Sequence, residues 1–416
     1  MLFTKEITKI TFEDVVNFCN EQIRESINLD YKKDFPTDLE KTISAFANTM
    51  GGLIIIGVED KDGKPKLPVK GLKYEKGFSE RVTNIILSNI YPPVFPEIQV
   101  CDPIRNRTFI IIRVPQSNTD HWIRHKTKIY IRTNDISKPE RIATRDEIEW
   151  LRNKRKKSEE LRELLYVTAL ERYNNYLKLH KLKGISFSEA TISIAPLYPS
   201  NPYKSTQEIK QLGDEIKARG YYGDEFPDSF YRARPIQGGI ANFFYNKETQ
   251  YIQYTELNQF GLLYHKEDLG DLERVKTEKE GKEKIEEIKK TYLLKIIRLI
   301  DLFLEASANL YEKLGYWGLV EFKFSLEKLL GIELISIGKF LFGEEKNISI
   351  DERLKWRREY YVNEIKNKRI ELLIELIKDI GWSLGWEYIT EDRIKNVLKE
   401  NGRLPEIEVS SQASTS

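Results

Sequence analysis

A stretch near the N-terminus, residues 48–60, constrains the fold of this chain more than any other part of the sequence. Leu39 to Asn48 reads as a helix, and the pair Gly51–Gly52 supplies the left-handed backbone that ends a helix without a Cβ clash. The apolar run Leu53 to Val58 is typical of a strand buried on both faces. The pattern therefore predicts a helix that turns into a buried strand, with the acidic pair Glu59–Asp60 at the strand's exit.

A shorter segment upstream, Leu29 to Lys32, is predicted to be a strand with two charged residues on one face. Alternation along a strand puts Asp30 and Lys32 on one side and Leu29 and Tyr31 on the other. A carboxylate and an ammonium group that share a strand face need partners or a function. This segment is therefore a candidate functional site, in addition to the acidic pair Glu59–Asp60.

These motifs together resemble the Schlafen AlbA_2 domain. The matching motifs are Glu25-Ser26, Asp30-Tyr31-Lys32, Ala45-Phe46-Ala47-Asn48-Thr49, Gly51-Gly52, Gly57-Val58-Glu59-Asp60, Ile129 to Thr133 and Ala143 to Ile148. The last two look like the closing strand and helix of that domain. The resemblance covers residues 1–155 and implies the fold of that family for this part of the chain. Asn48 and the two glycines are expected to be architectural.

The resemblance also implies an active centre. In the nuclease branch of the family three acids form this centre, and by motif position they fall on Glu25, Asp30 and Asp60; Asp30 is a departure, since the family usually has Glu. Clustered carboxylates suit phosphodiester hydrolysis because they hold Mg²⁺ or Mn²⁺. Lys32 would then stabilise negative charge on the scissile phosphate, completing the predicted catalytic set. The plain structural alternative is that Glu25 and Asp30 pair with Lys32 or other nearby bases.

Basic residues concentrate where the predicted domain ends. Residues 105–157 hold 15 Lys and Arg against 6 Asp and Glu, although the whole chain has a net charge of only +2. Such a local excess favours a polyanionic partner. Alternation along a predicted strand would place one set on a single face that grips phosphates and stacks an unpaired base. This nucleic-acid-binding set is Trp122, Arg124, Lys126, Lys128, Tyr130 and Arg132.

Purely structural interpretations of these residues are the alternative. Trp122 and Tyr130 would face the core beside ordinary surface charges, and the run 152–157 would be a solvated linker helix. His121 and His125 have a spacing that suits a metal only on a helix, and this region is predicted to be a loop that enters a strand. We therefore expect no metal at the two histidines.

Length predicts two domains, and the resemblance together with the order of predicted helices and strands implies an α/β protein of mixed α+β type. We expect an AlbA_2 domain at 1–155, a helix-rich α/β domain of unknown role at 156–404, and a disordered tail at 405–416. The elements predicted beyond residue 155 are a helix to about Leu182, strands at Ala190 to Ala195, Phe230 to Asn246, Tyr251 to His265 and Val320 to Leu326, and helices at Ile285 to Gly315 and Glu352 to Lys378. The strand at Val320 is expected to bury one face and to expose the other.

The remaining composition restricts location and chemistry. Cys19 and Cys101 have no metal-ligand spacing and predict reduced, intracellular thiols. No apolar run reaches the roughly 20 residues that span a bilayer, so we expect a cytoplasmic protein that contacts no membrane. Residues 57–65 lack the length and the Ser or Thr of a P-loop, so no P-loop can be claimed from them. A nucleotide-hydrolysing enzyme stays a third hypothesis only because some members of the resembled superfamily have been labelled ATP-binding.

The resemblance implies a divalent-metal-dependent endoribonuclease that acts on structured RNA such as tRNA, with RNA favoured over DNA. The larger relatives that the resemblance implies use two copies of this domain to form a cradle around RNA, whereas this sequence holds one set of the domain's motifs. A homodimer is therefore the hypothesis for how the second wall of such a cradle would be supplied. The competing interpretation is a non-catalytic AlbA_2 protein that binds DNA and regulates transcription. In that case the basic strip binds and the acids are structural.

Overall fold

The computed structural model describes residues 2, 5–117, 119–133, 139–182, 187–197, 199, 205–220, 225–227, 232–279, 282–336, 346–386 and 389–404. The fold is mixed α+β, as the sequence predicts. No helix among these residues is both long enough and apolar enough to cross a bilayer. The predicted tail, residues 405–416, lies outside the described residues.

Helices and strands alternate irregularly along the chain. The helices are α1 (Phe12–Asn20), α2 (Leu39–Asn48), α3 (Phe78–Asn89), α4 (Arg145–Leu179), α5 (Thr206–Glu215), α6 (Leu293–Leu314), α7 (Val362–Asn367), α8 (Arg369–Ser383) and α9 (Glu391–Glu400), with a 3-10 turn at Ile7–Lys9. The strands up to α4 are β1 (Leu29–Lys32), β2 (Gly52–Ile56), β3 (Asp60–Lys61), β4 (Lys64–Pro65), β5 (Leu72–Lys73), β6 (Ile90–Tyr91), β7 (Glu97–Val100), β8 (Arg107–Thr108), β9 (Ile110–Val114), β10 (Trp122–Ile123), β11 (Lys128–Arg132) and β12 (Glu140–Ile142). The strands after α4 are β13 (Glu189–Pro196), β14 (Ala218–Arg219), β15 (Glu225–Phe226), β16 (Arg234–Ile236), β17 (Gly239–Tyr245), β18 (Ile252–Asn258), β19 (Leu263–Asp268), β20 (Gly270–Lys279), β21 (Lys282–Tyr292), β22 (Leu319–Glu327), β23 (Glu333–Ile335), β24 (Lys346–Ile348) and β25 (Arg353–Tyr361).

The N-terminal core is built on the four-stranded sheet β1-β2-β9-β7, in which β1 and β2 run parallel and the other neighbours are antiparallel. Every residue of β2 is buried, because α1 covers one face of the sheet and α2 and α3 cover the other. Leu29 and Tyr31 point into the α1 side. The predicted alternation in β1 is confirmed, and it leaves Asp30 on the α2 side.

The predicted turn between α2 and β2 is also confirmed. Gly51 has a φ of +70°, the left-handed conformation that favours glycine. Gly52 is required for a different reason, since a Cβ there would lie 2.4 Å from the Phe46 ring and 2.6 Å from the Asn28 carbonyl oxygen. One glycine therefore reverses the chain, and the next lets α2 pack closely on the sheet.

A second small sheet, β12-β11-β10-β6, lies between α2 and the start of α4. Asn48 joins it to α2, because its amide donates to the carbonyls of His121 (2.8 Å) and Tyr130 (2.9 Å) and accepts from the His121 amide (2.7 Å). On the other side, Ile129 and Leu151 belong to a small apolar cluster. The architectural role predicted for Asn48 thus has a concrete form: it fixes the sheet to the helix.

Beyond α4, the main element is the antiparallel seven-stranded sheet β16-β17-β18-β19-β13-β22-β25. Helix α6 packs on one face, where the largest apolar cluster of the described residues lies. The C-terminal part of α4 covers the other face through Ala169 and Tyr173. The predicted strands around residues 190, 240, 258 and 322 are all present and antiparallel.

Three predictions in this region are wrong. Residues 282–292 form β21 rather than the first turns of the 285–315 helix, because they pair residue by residue with β20, and α6 begins only at Leu293. Residues 353–361 form β25, which pairs along its length with β22, so the helix predicted from Glu352 starts later. The polar face of β22 is not exposed, since α4 covers it and Arg162 Nε lies 3.2 Å from Glu321 Oε2.

The predicted domain boundary near Arg155 lies inside α4, a continuous helix of 35 residues. Most of the apolar clusters still separate on either side of it. The two parts are in contact, since the Asn28 amide donates to the Gly315 carbonyl at 3.1 Å. The division into two domains stays a prediction, with a helix rather than a flexible linker at the boundary.

Candidate nucleic-acid interface and acidic cluster

Asp30 is the most deeply placed of the predicted site residues, with no exposed surface. Its two carboxylate oxygens face two different cations. Arg132 Nη1 donates to Oδ1 at 2.9 Å, and Lys32 Nζ lies 2.6 Å from Oδ2. A buried carboxylate that is paired on both oxygens is part of the structural framework, because unpairing it would leave an uncompensated charge in the core.

Arg132 holds this region together. Its guanidinium also donates to Glu140 Oε1 at 3.1 Å and to the carbonyls of Ser26 (2.9 Å) and Leu29 (3.2 Å), and it stacks over the Phe46 ring at 4.4 Å from the centroid. The side chain has no exposed surface. The prediction that Arg132 contacts nucleic acid is therefore wrong: Arg132 shares a face of β11 with Tyr130, as alternation predicts, but that face is covered by α2.

Glu140 and Lys41 extend the network toward the surface. Lys41 Nζ lies 3.2 Å from Glu140 Oε2, and Thr42 Oγ1 donates to Glu140 Oε1 at 2.9 Å. Burial would raise the pKa of Glu140, but Arg132 and these neighbours hold it below its ordinary value. Burial likewise opposes the charge on Lys32, yet Asp30 raises its pKa on balance. Both groups are charged near neutral pH, and Lys32 keeps a partly exposed side chain.

Glu25 and Asp60 meet at the β3–β4 hairpin. The Glu25 amide donates to the Gly63 carbonyl at 2.7 Å, and the Gly63 amide donates to Asp60 Oδ2 at 3.3 Å. Glu25 Oε1 accepts from the Tyr31 amide at 2.7 Å. Burial, and then the negative charges of Asp30 and Asp60, raise the pKa of Glu25 to about 7. The three acids are thus near one another, but only Asp60 is exposed.

The raised pKa of Glu25 has a testable consequence for stability. Its folded-state value of about 7 exceeds the ordinary 4.5, so the folded protein holds this proton more tightly than the unfolded chain does. Stability from this group is full below pH 4.5 and is lost as the pH rises through 7. We expect Glu25→Gln to be more stable than wild type by about 1–2 kcal/mol at pH 8, after discounting for solvent screening. Urea denaturation at pH 4.5 and pH 8 checks this.

The expected difference at pH 4.5 is small, about 0.4 kcal/mol, since wild-type Glu25 is then protonated in the folded state and about half protonated in the unfolded chain. An equal gain at both pH values would mean that the substitution acts through packing and not through the proton.

The three acids do not fit a divalent metal in this arrangement. Within the part of the chain that the structure describes, no three His, Cys, Asp or Glu side chains converge as a metal site would require. Asp30 also has a cation at each oxygen, so a metal would have to displace Lys32 or Arg132. Glu59, at the exit of β2, pairs with Lys33 and Lys66 at 3.4 Å. The plain structural alternative therefore describes Asp30.

The predicted basic strip is divided between two strands and a turn. Residues 124–127 form the turn of the β10–β11 hairpin, with Thr127 at a φ of +50°. Trp122 lies opposite Ile129 and packs with it in the small cluster against α4, so it is not a free stacking platform. Tyr130 is half-buried on the other face, beneath Lys41 at 5.6 Å.

Three residues of the strip are exposed at this turn: Arg124, Lys126 and Lys128. Lys126 lies 3.7 Å from Glu40, whereas Arg124 and Lys128 form no ion pair with any described residue. The Arg124 guanidinium sits over the Tyr91 ring, 5.1 Å from its centroid. We call Arg124, Lys126, Lys128 and Tyr91 the turn surface.

Tyr91 was missed by the sequence analysis. It lies on β6, directly after α3, and half of its side chain is exposed beside β10. The available signal was an aromatic residue before Pro92-Pro93, where a helix must end, but nothing in the sequence connects that position to the strip. Sheet pairing alone brings them together.

The two histidines have different surroundings. His121 is buried, with Nδ1 2.7 Å from the Pro92 carbonyl and Nε2 2.6 Å from Ser117 Oγ. His125 is exposed on the turn, 3.9 Å from Glu40. They do not face a common point, and no metal site involves them among the described residues.

Comparison with known families gives one decisive match. Residues 22–141 match the family model described as Schlafen, AlbA_2. The segment is therefore similar to the Schlafen AlbA_2 domain, and we call it the AlbA_2 domain. Its last matched residue directly follows Glu140, so the AlbA_2 domain contains the entire Asp30–Arg132–Glu140 network and the turn surface. The match supports nucleic-acid binding as the general function of this domain.

Other comparisons add little. No curated protein matches the chain. One solved structure is similar in part: the N-terminal domain of a putative ATP-dependent DNA helicase RecG-related protein from Nitrosomonas europaea. The two sequences are 21% identical, and the match covers 26% of this chain and 74% of that chain, with a TM-score of 0.22. A TM-score this low carries no conclusion about the fold or the function of the AlbA_2 domain.

Proposed function

We propose that the AlbA_2 domain binds nucleic acid through the turn surface. The observation that carries the proposal is three exposed cations within five residues of one hairpin, two of them without an ion-pair partner among the described residues. Cations that are not neutralised by the protein are available to phosphates, and their binding releases counterions from the polyanion.

RNA is the expected polymer. Tyr91 offers a half-exposed ring beside Arg124, and such aromatic and guanidinium planes bind unstacked bases in loops and bulges. Duplex DNA lacks such bases but shares the phosphates. We therefore expect structured RNA with unpaired loops, of which tRNA is one kind, to bind more tightly than a DNA duplex of equal length.

Fluorescence anisotropy tests this directly. A labelled RNA hairpin would be titrated with the full chain in EDTA, and unlabelled RNA hairpin, DNA duplex and single-stranded RNA would then compete. We expect the RNA hairpin to compete at least about five times better than the DNA duplex. Equal competition by the RNA hairpin and the DNA duplex would show that the protein binds the phosphate backbone without a preference for RNA. If no polymer bound, the proposal would be rejected.

A second candidate is endoribonuclease activity at the acidic cluster, as the Schlafen resemblance implies. The observation that favours it is Glu25, whose pKa of about 7 suits a general acid or base and which lies near Lys32 and Asp60. Because the three acids do not fit a metal as arranged, we derive no metal-bound step. Labelled tRNA incubated with Mn²⁺, Mg²⁺ or EDTA tests it, with Asp60→Ala as the matched variant. Cleavage by wild type that the variant loses would establish the activity, whereas binding without cleavage would leave the acids as structure.

A further inference from the structure

A cavity beyond the AlbA_2 domain, at the C-terminal part of α4, has the chemistry of a nucleotide site. It encloses about 670 Å³ between the C-terminal part of α4 and strands β16 to β18. Its lining includes Arg172, Tyr176, Arg232, Arg234, Phe243 and Phe244. No described residue that lines it is acidic. The sequence analysis assigned no role to this region.

The wall of the cavity is a stack of aromatic rings. Tyr176 of α4 and Phe243 of β17 are stacked, with centroids 3.8 Å apart and ring planes 22° apart. Phe244, the next residue along β17, is exposed on the strand. Aromatic rings that remain open to solvent at a cavity are suited to a flat ligand, since stacking on a base contributes to binding without a hydrogen-bond code.

The cations at the cavity differ in how they are neutralised. Arg172 donates to Glu256 Oε1 at 2.6 Å, so a buried carboxylate balances its charge. Arg234 is exposed on β16, with its guanidinium 5.9 Å from the Tyr176 centroid, and it has no carboxylate partner among the described residues. The cavity therefore combines a flat apolar wall with an uncompensated guanidinium at its rim.

We propose that this cavity binds an unpaired nucleotide segment of the nucleic acid that the AlbA_2 domain holds. This inference rests on the proposed function. The faces of Tyr176 and Phe243 cover each other, so a base would stack on the exposed ring of Phe244, and Arg234 would contact the adjoining phosphate. An acidic peptide would satisfy the cation but would leave the aromatic wall without a flat partner. The cavity chemistry thus favours single-stranded nucleic acid.

Helix α4 sets the distance between the two sites. It starts beside the β10–β11 hairpin, where Trp150 packs, and reaches the cavity at Asn175. At a rise of 1.5 Å per residue these positions are about 38 Å apart along the helix, the length of about 13 base pairs of an A-form RNA duplex, which rises roughly 2.8 Å per base pair. A ligand that reaches both sites therefore needs a duplex of about one helical turn with a single-stranded tail.

The experiment compares two RNA hairpins with a stem of about 13 base pairs, one blunt and one with a tail of about six unpaired nucleotides. Anisotropy titrations in EDTA would use the full chain and both tail polarities. We expect a tail to increase the affinity of wild type about 10-fold. Arg234→Glu and Phe244→Ala are expected to remove this increase and to leave binding of the blunt hairpin unchanged. Lys378→Glu, an exposed residue of α8, is the charge-matched control.

Each outcome decides the proposal. A tail that adds no affinity in wild type, or an increase that persists in Arg234→Glu and Phe244→Ala, would overturn it. The proposal would also be overturned if poly-glutamate competed with the tailed hairpin as strongly as poly-uridine does, since charge alone would then explain binding. Failure of the blunt hairpin to bind would instead reject the proposed function. In that case the tail oligonucleotide would be titrated by itself, and the cavity proposal would require that Arg234→Glu weakens its binding.

Discussion

Replacing Arg132 with alanine is expected to lower the free energy of unfolding by about 3–5 kcal/mol. The guanidinium is the cation shared by the buried carboxylates of Asp30 and Glu140, and it also satisfies the carbonyls of Ser26 and Leu29. Its removal leaves charge and backbone acceptors unpaired in a space that water does not reach. Urea denaturation followed by circular dichroism would measure the loss.

The matched control is Arg124→Ala, which removes an arginine from the exposed turn and should change stability by no more than about 0.5 kcal/mol. Arg132→Lys keeps the charge but cannot bond both carboxylates and both carbonyls, so an intermediate loss is expected. If Arg132→Ala proved as stable as the Arg124 variant, the buried network would not hold the AlbA_2 domain together.

Reversing the charges of the turn surface is expected to have the largest effect on binding. Arg124→Glu, Lys126→Glu and Lys128→Glu together should weaken binding of an RNA hairpin by about 100- to 1000-fold at moderate salt, because three phosphate contacts become repulsions. The fold should be unaffected, since all three side chains are exposed. Anisotropy titration of wild type and the triple variant provides the comparison.

A charge-matched control is available in the same domain. Lys70, Lys73 and Lys76 are exposed and lie before the start of α3, whereas the Arg124 amide bonds to Asn89 at its end. Reversing these three lysines changes the net charge equally at a distant place. Equal weakening by both triple variants would mean that net charge, and not the turn surface, governs binding.

The parts of the fold that could be predicted are those in which local pattern and tertiary packing agree. The glycine pair after α2 is needed both for a left-handed turn and for close packing on Phe46, so its signal was strong. Alternation in β1 correctly put Asp30 and Lys32 on one face. The same alternation could not reveal that the face is buried, because that depends on where α2 and Arg132 lie.

Other parts depended on pairings that a single segment does not encode. The steps of three and four from Ile285 to Tyr292 fit a helix, yet β20 pairs with this segment and makes it a strand. Leu354, Trp356 and Tyr360 follow a period of two that indicated β25 and was overlooked. The basic strip was treated as one strand, and the turn at residues 124–127 separates its members onto different faces.

The central claim is that the AlbA_2 domain binds nucleic acid through uncompensated cations, without requiring a metal. The most direct measurement is the affinity of the full chain for a labelled RNA hairpin in EDTA between 50 and 300 mM salt, roughly the range over which counterion release is resolved. We predict saturable binding whose logarithm falls linearly with the logarithm of salt, with a slope of about −2 to −4 for three to four phosphate contacts. Absence of binding at the lowest salt, or binding that appears only when Mg²⁺ or Mn²⁺ replaces EDTA, would contradict the account.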